Sequence, residues 1–154
     1  MNLTSRKTIV VAGAGFAGAA FSAIFGEWSS DLQALIVLMC IDFITGLMVA
    51  GLFQKSPKTF SGGLSSKECV KGIAKKTGEL MLVAAAYQSE ILLSESYSIP
   101  IRAYVISALC AAEIISIMEN AGAMDILPES VQKIFRKVID ALNKKSGDDD
   151  KEGE

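Results

Sequence analysis

The chain of 154 residues contains no histidine, one tryptophan, three prolines and three cysteines. Without histidine it lacks the commonest general base and the commonest metal ligand, so the composition gives an enzyme little to work with. Cys40, Cys69 and Cys110 are odd in number and widely spaced, with no Cys-x-x-Cys pair. They support neither a disulfide framework nor a zinc site, and Cys40 and Cys110 read as small apolar residues inside helices. A net charge of −2 offers no electrostatic case for a nucleic-acid partner. No metal, cofactor or small-molecule substrate is expected.

The decisive shortage is local. Residues 8–26 carry no charge at all, and residues 32–53 carry one, Asp42. At the rise of an α-helix these runs reach about 28 and 33 Å, close to the roughly 30 Å hydrocarbon core of a bilayer. The apolar share of 51% decides little, because soluble domains are nearly as rich. A soluble hairpin of two such helices would need a core large enough to enclose both, and a domain of this size has too little. The expected fold is therefore all-α, a multi-span integral membrane protein. Two further spans are weaker: residues 77–94, which include Glu79 and Glu90, and residues 103–118, which include Glu113. An acid at the centre of a span costs about 2.5–3.5 kcal/mol on insertion scales and less near an end. Glu113 is the hardest to move outward.

The lysines and arginines test the count. Arg6 and Lys7 precede the first span, and the link from the first to the second holds Glu27 and Asp31 but no basic residue. Lys55, Lys58, Lys67, Lys71, Lys75 and Lys76 lie between the second and third. Lys133, Arg136, Lys137, Lys144, Lys145 and Lys151 follow the fourth. With four spans, fourteen of the fifteen basic residues fall on one side and only Arg102 on the other. The positive-inside rule makes the richer side cytoplasmic, with both termini there. Three spans would lose this agreement. A cleaved signal peptide is the competing reading of the first segment, but its uncharged run exceeds the 7–15 residues typical of a signal core.

A membrane domain is thus expected over residues 1–126. Residues 127–146 form a cytoplasmic amphipathic helix in this reading, with Val131, Ile134, Phe135, Val138, Ile139 and Leu142 at helical spacing. Pro128 and Glu129 suit its start. It has three candidate resting places: the inner membrane surface, another subunit, or its own domain. Residues 147–154 read as a disordered acidic tail.

The run Gly13-Ala14-Gly15-Phe16-Ala17-Gly18 matches the Gly-x-Gly-x-x-Gly of nucleotide-binding folds. The following helix lacks a polar face, however, and the chain lacks further strand–helix units. The small residues have another use. Ala14, Gly18, Ser22 and Gly26 recur every fourth residue beside Gly15, Ala19 and Ala23, and Ala103, Ser107 and Ala111 repeat the pattern in the fourth span. Such faces let helix backbones approach closely, within one chain or between chains. On the second span Asp42, Thr45 and Gly46 share a face. Glu113 and Ser116 form a polar strip on the fourth, followed by Glu119 and Asn120. A buried acid in a membrane should face a partner or water, so these residues either line an aqueous path, lock an oligomer, or bond a neighbouring helix. Nothing positions a nucleophile, metal or oxyanion donor beside them, so acid–base catalysis has no support.

The Asp42-Phe43-Ile44-Thr45-Gly46 element, the loop Ser61-Gly62-Gly63-Leu64-Ser65-Ser66-Lys67, and Gly72 with Lys75-Lys76 come in an order that resembles the toxin-secretion/phage-lysis holin family. So does Glu113-Ile114-Ile115-Ser116-Ile117-Met118-Glu119-Asn120-Ala121-Gly122 followed by Pro128. The resemblance covers residues 32–142; residues 123–127 are longer than the Gly-x-Pro-x-Pro link of many members. It implies a small phage or prophage protein that accumulates in the host cytoplasmic membrane as a homo-oligomer. Lesions then release a cell-wall hydrolase (endolysin) or, in some clostridial relatives, a toxin. By matching position it assigns Asp42, Thr45 and Gly46 to packing and a polar lesion face. It assigns Glu113, Ser116, Glu119 and Asn120 to helix association at the inner boundary. The alternatives are an antiholin or small scaffold that binds a partner without making a hole, and a small cation channel with the acids as a ring. The lipid bilayer is a partner in every case, and an antiholin is a further candidate.

Overall fold

The structure, a computed structural model, describes residues 3–93, 99–134 and 137, with side chains from Lys7 onward. Among them there are four long helices and no strand: α1 (Leu3–Phe25), α2 (Ser30–Gly51), α3 (Ser66–Leu93) and α4 (Ile101–Ala123). Residues 129–134 and Lys137 are also helical; residues 135, 136 and 138–146 of the helix expected at 127–146, and the tail expected at 147–154, lie outside the described residues.

Local chemistry sets the ends. Gly26, at φ +82°, closes α1 with its amide on the Ser22 carbonyl at 2.9 Å, the left-handed stop that glycine adopts without a Cβ penalty. Ser29 begins α2, its carbonyl accepting from Gln33 N at 3.0 Å, and Asp31 in the first turn faces the positive end of the helix dipole. Ser65 accepts from Cys69 N at 3.0 Å and is followed three residues later by Glu68, the order of a capping box. This signal starts α3 at Ser66, well before the expected 77. Pro100 fills the same role for α4, accepting from Tyr104 N at 3.2 Å, and Asp125 at φ 59° ends it.

Three helical stretches are long and apolar enough to cross a membrane: Lys7–Phe25, Ser30–Gly51 and Ile101–Ala123. They correspond to the first, second and fourth expected spans. In α3, at 28 residues, Lys71, Lys75, Lys76, Glu79, Gln88 and Glu90 interrupt the apolar sequence.

The chain divides into two compact units. The first comprises Met1–Cys40 and Val70–Glu113, the second Ile41–Cys69 and Ile114–Glu154. The first is built around Leu32, Leu35 and Met39 of α2, Val83 of α3 and Ile106 of α4. Phe21 and Phe25 from the end of α1 pack against this cluster, stacked on each other with ring centroids 4.9 Å apart. The rest of α1 makes no such contact: none of its apolar span is buried. Along α2 the buried positions follow the i, i+3, i+7 rule, while Val37, Ile41 and Ile44 point outward as they must in a helix that faces lipid. The second unit buries Val49, Ala50, Ala121 and Met124.

Candidate functional site

Three groups of polar side chains are built into these apolar helices. In the second unit Asn120 of α4 lies against α2. Its Nδ2 donates to Asp42 Oδ1 at 3.1 Å and to Thr45 Oγ1 at 3.0 Å, with the Asp42 carbonyl at 3.4 Å. The Thr45 hydroxyl spends its own proton on the Asp42 carbonyl at 3.0 Å, so toward Asn120 it is an acceptor only. Two acceptors facing one amide fix which end of that amide points inward. Gly46 borders the group: a Cβ there would lie 3.7 Å from Asn120 Nδ2, ordinary van der Waals contact.

In the first unit the corresponding group is charged. Glu113 of α4 is 1% exposed and Glu79 of α3 is 7% exposed. Lys76 hydrogen-bonds Glu113 Oε2 and sits 3.9 Å from Glu79 Oε2, while Lys75 approaches Glu79 Oε1 at 3.6 Å. Two carboxylates thus meet two ammoniums. The sequence reading treated Glu79 and Glu113 as costs to insertion and Lys75 and Lys76 as loop charge, and missed that they compensate one another. One signal was present: Lys75 and Lys76 stand at i−4 and i−3 to Glu79, which places them on its face of α3.

The third group, in the first unit, gathers α1, α3, α4 and the link between α1 and α2. Arg102, at the start of α4, donates from Nη2 to the Glu27 carbonyl and to Ser29 Oγ, both at 2.9 Å. Its backbone N–H donates to Glu90 Oε1 at 2.7 Å, and its guanidinium carbon lies 5.9 Å from the Tyr87 ring centroid. Gln88 Nε2 donates to carbonyls in the last turn of α1, Ala23 at 2.9 Å and Ile24 at 3.2 Å. A Cβ on Gly26 would come within 2.7 Å of the Tyr87 ring and 3.2 Å of the Arg102 guanidinium. The one arginine that a four-span reading leaves opposite the other basic residues is therefore a tethered clasp.

The remaining positions singled out from sequence fall elsewhere. Ser116 is half-buried and Glu119 exposed. The row of small residues divides. Ala14, Gly18 and Ser22 are exposed, and a Cβ on Gly13, Gly15 or Gly18 would meet nothing within 4 Å; Gly26 belongs to the clasp. Ala103, Ser107 and Ala111 are exposed too. No group of three metal-ligating side chains occurs among the described residues, and Cys40, Cys69 and Cys110 are free thiols.

The sequence profile of the bacteriophage holin family matches residues 19–144. The chain belongs to that family. The matched stretch holds every member of the three polar groups and starts inside α1, beyond Ala14 and Gly18. Holins of this family are membrane proteins without enzymatic activity, and the apolar helices of this chain suit a membrane location. Uncharacterized proteins of Listeria innocua and Listeria monocytogenes are each 35% identical to it over 133 residues, 86% of both chains. One from Halalkalibacterium halodurans is 33% identical over 137 residues, covering 86% of this chain and 90% of its own. No solved structure matches.

Proposed function

We propose that this holin-family chain crosses the bacterial cytoplasmic membrane four times, with both termini in the cytoplasm, and assembles there into oligomers. These open lesions through which a cell-wall hydrolase leaves the cytosol. The observation that carries the reading is an apolar helix with an unused face of small residues in a chain of this family. None of the α1 span is buried, and its glycines have open space where a side chain would be. A single copy gains nothing from their smallness. A second helix brought against that face gains close backbone contact, the main source of helix association where lipid removes the hydrophobic drive. Support for α3 as the remaining span comes from Lys75 and Lys76, which offset Glu79 and Glu113 and lower the cost of placing those acids in lipid. Asp42, Thr45, Gly46 and Asn120, with Glu113, Ser116 and Glu119, are the residues through which helix packing inside each copy is coupled to the lesion.

Controlled expression in a bacterium tests this. A holin stops respiration abruptly and, with a wall hydrolase in the cytosol, lyses the culture. Cells that stay energised and intact at high expression refute lesion formation and favour an antagonist or scaffold. Cells that depolarise yet retain a folded cytosolic reporter point to a small cation channel.

A further inference from the structure

The connection from α2 to α3 carries apolar side chains that no span explains. Residues 52–67, the connection together with the first two residues of α3, hold three lysines, Lys55, Lys58 and Lys67, and no acid. The segment is folded. Ser56 N donates to the Gly62 carbonyl at 2.9 Å, Gly62 N to the Thr59 carbonyl at 3.1 Å, and Thr59 Oγ1 to the Gly63 carbonyl at 2.9 Å. Gly62 has φ +70°, and a Cβ there would lie 2.1 Å from the Gln54 carbonyl oxygen, so the loop closes on itself only with glycine at this point. Lys55 pairs with Asp125 and ties the loop to the turn after α4. At the tip Phe60 is fully exposed, and Leu52 and Leu64 are largely so. Lys58 and Lys67 are exposed as well.

Exposed apolar residues inside α1, α2 and α4 need no comment in a membrane protein. Phe60 lies in none of them, yet a closed loop holds it outward. The loop starts directly after Gly51, the last residue of a helix long enough to cross the bilayer, which puts it at head-group depth. Apolar side chains interleaved with lysines at that depth are what an interface lined with anionic head groups receives well. A second copy of the loop is a poor occupant, because it presents the same lysines.

We propose that residues 52–67 form an interfacial anchor, seating Phe60 and Leu64 among the head groups of a leaflet that contains anionic phospholipid, with Lys58 and Lys67 against its phosphates. The proposal rests on the membrane location of the chain and is independent of lesion formation.

The test uses the full chain in vesicles, with Phe60→Trp in a Trp28→Phe background as the only indole. Vesicles of phosphatidylcholine are compared with vesicles that also contain phosphatidylglycerol. The expected result is blue-shifted emission, quenched by lipids brominated near the head group and poorly by aqueous acrylamide, and more so with phosphatidylglycerol. Lys58→Gln and Lys67→Gln each reduce the seated-to-unseated ratio about fivefold. Gly62→Ala, which opens the loop, returns the emission toward that of indole in water while leaving the helical circular dichroism unchanged. Emission equally open to acrylamide in both vesicle types overturns the proposal. So does emission shielded from acrylamide but insensitive to brominated lipid and to lipid charge, which would mean that protein covers the loop.

Discussion

The two polar clusters solve the same problem by different means. Around Glu113 the first unit sets ammoniums against carboxylates; around Asn120 the second unit presents one amide to the Asp42 carboxylate and the Thr45 hydroxyl oxygen. The difference lies in what each cluster leaves behind when one member is removed. Breaking the ion pair leaves a charge at a fully buried position, whereas removing the Asn120 amide leaves the Asp42 carboxylate, which is only half-buried and within reach of water. The charged cluster should therefore resist rearrangement, and the amide cluster should be the easier one to exchange for contacts made in an oligomer.

The largest effect is expected from Glu113→Leu, which removes the carboxylate that Lys76 hydrogen-bonds and unbalances the buried charges: a loss of about 3–5 kcal/mol, read as failure of the protein to accumulate in membranes or as early unfolding in detergent. Adding Lys76→Met to it should recover part of the loss, since the ammonium that Glu113 neutralised is then gone while Glu79 keeps Lys75 at 3.6 Å. If the double variant is no better than the single one, the two residues do not act as a pair and the contrast drawn above fails. Asn120→Ala should cost less, about 1–2 kcal/mol, because it removes two side-chain hydrogen bonds without stranding a cation. The same detergent unfolding curves measure it. Asp42→Asn is expected to cost under about 1 kcal/mol, because an amide oxygen can take the same donor from Asn120. Lysis timing unchanged in this variant would assign Asp42 a hydrogen-bonding role, and altered timing at equal stability would assign its charge a role in opening. Gly18→Leu, far from both clusters, sets the zero of the scale. Stability should stay within about 0.5 kcal/mol, because nothing lies within 4 Å of the new Cβ, while crosslinked oligomers in membranes should decline. Undiminished crosslinking would remove α1 from the interface.

Much of the helical framework was legible. The charge-poor runs at residues 8–26 and 32–53 and the apolar stretch around 103–118 each coincide with a helix long enough to cross a bilayer, because length and scarcity of charge are properties of the sequence itself. The start of α3 was less so. Hydropathy places a boundary where charge stops, at Thr77, whereas the helix begins at the Ser65–Glu68 cap and carries its lysines in regular turns. Hydropathy cannot see a cap, which depends on hydrogen bonding at one position.

The clusters show the same division. Spacing alone puts Asp42, Thr45 and Gly46 on one face of α2, since 3.6 residues per turn require it. Which side chain meets that face depends on how α4 packs, and the partner is Asn120. Likewise the small residues of α1 are legible as a face, but only the packed chain leaves that face empty and turns Gly26 into part of the Arg102 clasp. The sequence by itself determined that this chain is helical, apolar and short of the groups that do chemistry, because each of those follows from residue type and local period. Tertiary structure decided which charges cancel, since Lys76 and Glu113 are 37 residues apart and only packing brings them together.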